Sequence, residues 1–415
     1  MFIFSVRKTI LAQSIPKSVS KRLKLFVLII GMVASGVVVY EVLPEQPKGI
    51  YLRDYDGIKG VVIQTSGLVA QCWYDNELFA TRDVYVFRSL DKGLTWEKVA
   101  KLGLPNDTFI KKIKYRLGRL KLVRKFKNNN VGIDQLKVLK DRTALLSYGG
   151  YFYHGVLEEG KIVCLENTYI SSGSVLHQGC TEDGNGIVYI GQYITDNQYR
   201  KHDTVNLYWS LDQGKAWSVR NEFKRSVMRH IHSVSYDVYR NLVWVATGDE
   251  DNESHLLFSD NQCASFQILG SGDQLWKAVS MQFTPESVYW GSDIPGKLNY
   301  LFRWNWNTME KHALLTVKNP FYYSVQDGNG NIFFSTAVED PENDGYSTKY
   351  SELWKISKDD GRPPVRLLSW QKGSLNMWGR IHFAQGKSPQ GWIAYTPINL
   401  AYHHCETIVM NVGNE

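Results

Sequence analysis

An eight-residue pattern returns along this chain at intervals of about 50 residues, and it limits the fold more than any other feature. Ser89-Leu90-Asp91-Lys92-Gly93-Leu94-Thr95-Trp96 reads S-x-D-x-G-x-T-W. Ser210-Leu211-Asp212-Gln213-Gly214-Lys215-Ala216-Trp217 keeps all of it but the Thr. Ser357-Lys358-Asp359-Asp360-Gly361 keeps the first half, and Ser259-Asp260-Asn261-Gln262-Cys263-Ala264-Ser265-Phe266 is a degenerate copy. The chemistry is that of a hairpin turn. Ser and Asp side chains accept from turn N–H groups, Gly supplies a positive φ, and the aromatic packs the turn against its strands. The two fullest copies each follow an alternating run, VYVFR at 84–88 and VNLYW at 205–209.

A second repeat has the same meaning. Glu182-Asp183-Gly184-Asn185-Gly186-Ile187-Val188-Tyr189 parallels Gln326-Asp327-Gly328-Asn329-Gly330-Asn331-Ile332-Phe333, each a strand, a Gly-rich turn and a strand. Outer turns fall near residues 91, 159, 212, 261, 308 and 360. A period near 50 suits a four-stranded blade, so the expected fold is all-β, a six- or seven-bladed β-propeller with seven favoured. The segment 50–54 is expected to give the closing blade its outer strand. An aromatic share of 13%, with 34 Gly against 12 Pro, fits short half-buried strands joined by tight turns. Five scattered Cys without a CxxC pair read as small buried hydrophobes, with one disulfide left open.

The S-x-D-x-G-x-T-W copies resemble the Asp-box (BNR) repeat of the sialidase-superfamily propellers. The resemblance covers only short segments. It implies that these turns join the outer strands on one face of the ring. Ligands would then bind on the other face, around the central channel. Sialidases also carry an R-I-P segment, an arginine triad and a Tyr/Glu pair. This chain has no R-I-P segment, and of the triad only Arg229 and Arg380 have candidates. Sialidase activity itself is therefore not expected.

The net charge of +7 is local rather than global. Residues 1–24 are basic and read as a cytoplasmic N-terminus. Residues 25–42 contain the uncharged run LFVLIIGMVASGVVVY and read as a transmembrane anchor, the alternative being a cleaved signal segment. The expectation is a single-pass membrane protein with its propeller domain, 43–415, outside the cytoplasm, or a secreted one after signal cleavage. The segment 105–128 contains KKIKYRLGRLKLVRKFK, with nine Lys or Arg and no acid, and reads as one inserted amphipathic helix. Nucleic acid is not expected as a partner.

Aligned as inner strands, five segments begin with His177, His232, Lys277, Tyr323 and Arg380, which is expected to ring the channel mouth with polar groups. His230 stands two residues from His232 and so shares its strand face. Arg229, Trp276 and Trp378 lie alongside, while Asp249, Glu250 and Asp293 leave second strands. Cations with aromatic rings suit an acidic sugar. Paired carboxyls suit glycoside cleavage. His177, His230 and His232 suit a metal. The residues could equally do no more than satisfy hydrogen bonds in the channel wall. The reading adopted is a propeller that binds or cleaves an acidic polysaccharide, hydrolase or lyase, with enzyme status open. His230, His232 and Asp249 are placed at the chemistry. His177, Arg229, Trp276, Lys277, Asp293, Tyr323, Trp378 and Arg380 are placed on the substrate. No metal and no cofactor are expected. The alternative is a non-catalytic glycan-binding or scaffold protein with an envelope-assembly protein as partner.

Overall fold

In the computed structural model, the residues described are 51–52, 62–103, 132–148, 150–169, 175–194, 203–339, 346–358, 362–374, 378–401 and 404–412. Their strands form seven antiparallel sheets. Six are four-stranded blades, numbered here 1 (69–101), 2 (135–169), 3 (180–224), 4 (230–271), 5 (278–317) and 6 (321–371). Blade 7 takes its inner three strands from 380–411 and its fourth from Val62–Ser66, which pairs with Glu406–Asn411. The expected outer strand at 50–54 is thus misplaced by a strand. Tyr51–Leu52 is a fifth, edge strand that makes only two pairings with Val62–Ser66. Blade 7 meets blade 1 through hydrogen bonds from Trp73 N to Gln385 O (2.7 Å) and Gln385 N to Gln71 O (2.9 Å), and the ring is closed.

The repeated turns share one geometry. Ser89 Oγ accepts from Gly93 N at 2.7 Å, and Asp91 Oδ1 accepts from Thr95 N at 2.8 Å. Ser210 and Asp212 do the same for Gly214 N (2.7 Å) and Ala216 N (2.9 Å). In the degenerate copy, Ser259 and Asn261 accept from Cys263 N (2.9 Å) and Ser265 N (3.1 Å). Cys263 holds φ +61° where the other copies have Gly93 and Gly214, so a β-carbon is tolerated there at a cost in strain. In the inner hairpins, Asp183 and Asp327 each accept from two turn N–H groups by the same logic. Both sets of turns lie at the end of the ring opposite the loops that enter the inner strands.

The apolar core lies between blades. Trp244 of blade 4 and Trp290 of blade 5 are fully buried and belong to one cluster spanning both sheets. Blades approach closely where glycine stands at or next to the end of a second strand. A β-carbon on Gly191 would lie 2.3 Å from Ile231 of blade 4, and one on Gly291 would lie 2.2 Å from Phe321 of blade 6.

Two expectations need correction. Among the described residues no helix is long and apolar enough to cross a membrane, against the reading of a single-pass membrane protein. Helical structure there is limited to two 3₁₀ turns, Asp251–Glu253 and Gln274–Trp276. The run 25–42 and the basic segment 105–128 lie outside the described residues, as does most of the third turn copy. All five cysteines are free.

Tight blade contact at Gly291 has a measurable consequence. Gly291→Ala is expected to lower stability by about 1–3 kcal/mol, the usual cost of overpacking. Urea unfolding of the variant against the parent checks this, and an unchanged midpoint would show that the blades can separate there.

Candidate functional site

Second strands end at Gly248, Ser292, Thr336 and Ile398, opposite His230, Ala278, Phe321 and Arg380 on the inner strands. The five aligned residues therefore do not sit at one level. Arg380 is at the mouth, Lys277 lies one residue outside, and His232 and Tyr323 lie two residues further in. The cause is a β-bulge near the start of inner strands, between Ile231 and Ser233 in blade 4 and between Phe321 and Tyr323 in blade 6. A bulge adds a residue and re-aims its side chain. The residues at these bulges are His232 and Tyr322, both buried.

Asp249 is the hub of the mouth. Its Oδ1 lies 3.1 Å from His230 Nε2 and 3.4 Å from His232 Nε2. Lys277 Nζ is 3.8 Å from the same oxygen and 3.4 Å from Asp293 Oδ2. Arg229 reaches Asp249 Oδ2 at 3.2 Å and Glu253 Oε2 at 3.7 Å. Glu253 in turn accepts from the backbone N–H groups of Asp249 and Glu250, both at 3.2 Å, which fixes the loop that presents Asp249. Burial opposes charge on Asp249, but the His230 and His232 hydrogen bonds outweigh it, and the carboxyl stays far below the usual carboxylate range. Burial lowers His232 against the pull of Asp249. Burial also works against charge on Lys277, yet Asp293 and Asp249 raise it above the ordinary lysine value.

Glu339 follows the second strand of blade 6, as Asp249 and Asp293 follow those of blades 4 and 5. Tyr322 donates to its Oε1 at 2.5 Å. Burial, with the Asp293 charge beside it, pushes the Glu339 carboxyl up to about 7, against the pull of Tyr322 and Lys277. Burial likewise raises the Tyr322 phenol, so it remains a neutral donor. Trp378, 47% exposed, meets Tyr322 edge-on at 6.0 Å and offers an aromatic surface at the mouth. Tyr193 stacks on His230 at 4.1 Å.

Other expected residues are used differently. His177 does not join His230 and His232. Its Nε2–H donates to Phe383 O of blade 7 at 2.6 Å, and its ring lies 3.5 Å from that of His382. Burial lowers His177 to about 4, so this ring is neutral. With Gln178 donating to Ser324 O at 2.7 Å, it forms a septum across the channel. Beyond the septum is a cavity of about 160 Å³ lined by Gln135, Thr181, Ser235, Gln282 and Gln385, among others. Tyr323 packs edge-on against His177 at 5.4 Å and faces Arg380. Trp276 turns into the blades, stacked on Trp290 at 5.4 Å with Lys311 Nζ 3.9 Å from its ring centre, and is a packing residue. Glu250 is exposed and precedes the turn Asp251–Glu253.

Glu253, Tyr322 and Glu339 were missed by sequence reasoning. Glu339 carried a usable signal, since it occupies the same class of loop as Asp249 and Asp293. Tyr322 carried none, because alternation on a straight strand selects Tyr323.

No protein-family model matches the sequence. No curated protein matches it. Solved structures do resemble it. An oligogalacturonate lyase in complex with manganese superposes with a TM-score of 0.53 at 9% identity, covering 89% of this chain and 98% of that one. A virginiamycin B lyase from Staphylococcus aureus gives 0.51 at 8%, covering 88% and 99%. The extracellular domain of a hybrid two-component system from B. thetaiotaomicron gives 0.50 at 13%, covering 88% of this chain but only 39% of that one. At these identities the likeness is one of fold: the chain is a seven-bladed β-propeller.

Glu339 makes a pH test available. A carboxyl raised from 4.5 to about 7 on folding favours the protonated native state, so its contribution is full below pH 4.5 and is lost as pH rises through about 7. Glu339→Gln, with no proton to lose, should show a smaller fall in melting temperature across that interval than the parent. Parallel pH profiles would place the Glu339 titration elsewhere.

Proposed function

We propose that the mouth of this propeller binds an acidic polysaccharide and cleaves it at a glycosidic linkage. The observation that carries the reading is two carboxyls in unlike surroundings on one mouth. Asp249 lies among His230, His232, Lys277 and Arg229, which favour its ionised form, while Glu339 is drawn against the Tyr322 phenol and burial raises it to about 7. Groups driven apart in this way are suited to act as base and acid. Asp249 and Asp293 flank Lys277 at 3.8 and 3.4 Å, and Lys277 and Asp293 also act on Glu339, so the three carboxyls share one patch of the mouth. In this reading Glu339 gives a proton to the leaving oxygen. Asp249, oriented by His230, His232 and Arg229, serves as base or nucleophile. Trp378 covers a sugar face. Arg380, which has no carboxylate within ion-pair distance among the described residues, grips the substrate carboxylate.

Two further lines support the class. One of the similar propellers is an oligogalacturonate lyase, and the Ser/Asp/Gly turns resemble the Asp-box of sialidase-superfamily propellers. The departures from sialidases noted above keep sialic acid itself outside the proposal.

The test is incubation of the full chain with pectate, alginate and glycosaminoglycan. New reducing ends alone indicate hydrolysis, and new reducing ends with an ultraviolet-absorbing unsaturated product indicate elimination. Asp249→Asn and Glu339→Gln should each lower kcat by about 10²–10⁴. Arg380→Ala and Lys277→Ala should abolish retention on an anionic glycan array while the fold survives. Array binding by the parent without cleavage would make the protein a non-catalytic glycan-binding module. Absence of both would end the glycan reading.

A further inference from the structure

We propose that His230, His232 and Asp249 form a site for one first-row divalent cation of the Zn²⁺ or Mn²⁺ type, open to the channel mouth. Their donor atoms all lie within 4.8 Å of one another, the grouping of this kind found among the described residues. A cation about 2.1 Å from each of three donors would set donor–donor edges of about 3.0–3.4 Å. The distances from Asp249 Oδ1 to His230 Nε2 and His232 Nε2 are 3.1 and 3.4 Å.

The hydrogen bonds around the rings point the same way. Ile194 O, which can only accept, lies 3.1 Å from His230 Nδ1, so that nitrogen carries a proton. Nε2 can therefore meet Asp249 Oδ1 across 3.1 Å in two ways, by donating a second proton to it or by sharing a cation with it. With the ion bound, Nε2 is a ligand. Anchoring the far nitrogen on a backbone carbonyl is also how metal-bound histidines are oriented. His232 presents Nε2 to the same oxygen, and its Nδ1 is buried without a hydrogen-bond partner.

Charge agrees as well. Three carboxylates, Asp249, Glu253 and Asp293, face two cations, Arg229 and Lys277. Lys277 is nearer Asp293 than Asp249, and Asp293 Oδ1 is buried without a hydrogen-bond partner. A divalent ion at Asp249 offsets the surplus.

The two imidazoles are buried, while the Asp249 side chain keeps 30% of its surface exposed. Tyr193 covers one side of His230. The open coordination positions therefore face the mouth, where water or a ligand oxygen can enter. Two imidazoles and one carboxylate suit borderline first-row ions better than Mg²⁺ or Ca²⁺, which take oxygen ligands.

Metal binding is measured on the full chain without any glycan, so its failure and the failure of the glycan reading are separate events. The chelator-stripped protein is titrated calorimetrically with Zn²⁺ and with Mn²⁺, and its melting temperature is followed in parallel. The parent should bind one of the two at about one ion per chain, with a rise in melting temperature. His232→Gln and Asp249→Asn should weaken binding more than the roughly 10–100-fold that loss of an outer partner costs. Leu90→Ser, an exposed outer-turn change at the opposite end of the ring, should bind like the parent. The proposal is overturned if the folded parent binds neither ion, or if Asp249→Asn and His232→Gln retain full affinity, which would put the ion elsewhere. A variant that fails to fold is replaced by the parent titration alone, whose null stoichiometry is sufficient to reject the site.

Discussion

A ring of sheets packed face to face is complete only when its last sheet packs against its first. Here the two ends of the propeller meet where Val62–Ser66 lies along Glu406–Asn411, residues more than 300 positions apart in the chain. That pairing makes blade 7 a mixture of both ends of the propeller, and it brings Gln385 into hydrogen-bonding reach of Gln71 and Trp73. Everything at the mouth depends on it. The His177 septum spans from blade 3 to Phe383 of blade 7, and Arg380 stands at the start of the same blade. Without closure, the inner strands of blades 3 and 7 would have no reason to face each other.

Closure positions backbones, and bulges then decide which side chains look into the channel. On an unbroken strand, every second residue faces one way. The bulges at His232 and Tyr322 break that rule just inside the mouth. They place an imidazole beside Asp249 and a phenol beside Glu339. The loops leaving the second strands supply the carboxyls, and the 3₁₀ turn Asp251–Glu253 holds one of them, Asp249, through Glu253.

This division explains what was legible in the sequence. The turns are local chemistry: Ser89, Asp91 and Gly93 satisfy one another within a few residues, so their pattern survives in the sequence and reports the blade period. His230 and Asp249 were legible because they stand at the facing ends of two paired strands, whereas His232 reaches Asp249 through a bulge that alternation does not reveal. The outer strand of blade 7 was not legible, because Val62–Ser66 precedes any repeated turn and its partner is remote. Nor was the fate of His177 and Trp276. Both looked like mouth residues by position, yet one spans the channel to a carbonyl of another blade and the other stacks on Trp290. Such partners belong to the assembled ring and leave no periodic trace.

The mouth also separates two uses of burial. At His177 and His382 burial simply suppresses charge: both rings are lowered, their centres lie 3.5 Å apart at a 41° tilt, and the septum is neutral. A few residues away, burial surrounds Asp249, Lys277 and Asp293, which keep close ion-pair geometry because each lies between groups of opposite sign. Buried ions of this kind seldom add net stability over a well-packed apolar cluster. A fold that needed only a sealed channel could have continued the neutral packing of the septum to the rim. That it instead concentrates charge at the rim, next to an exposed Trp378, is the physical argument for chemistry there and not at the septum.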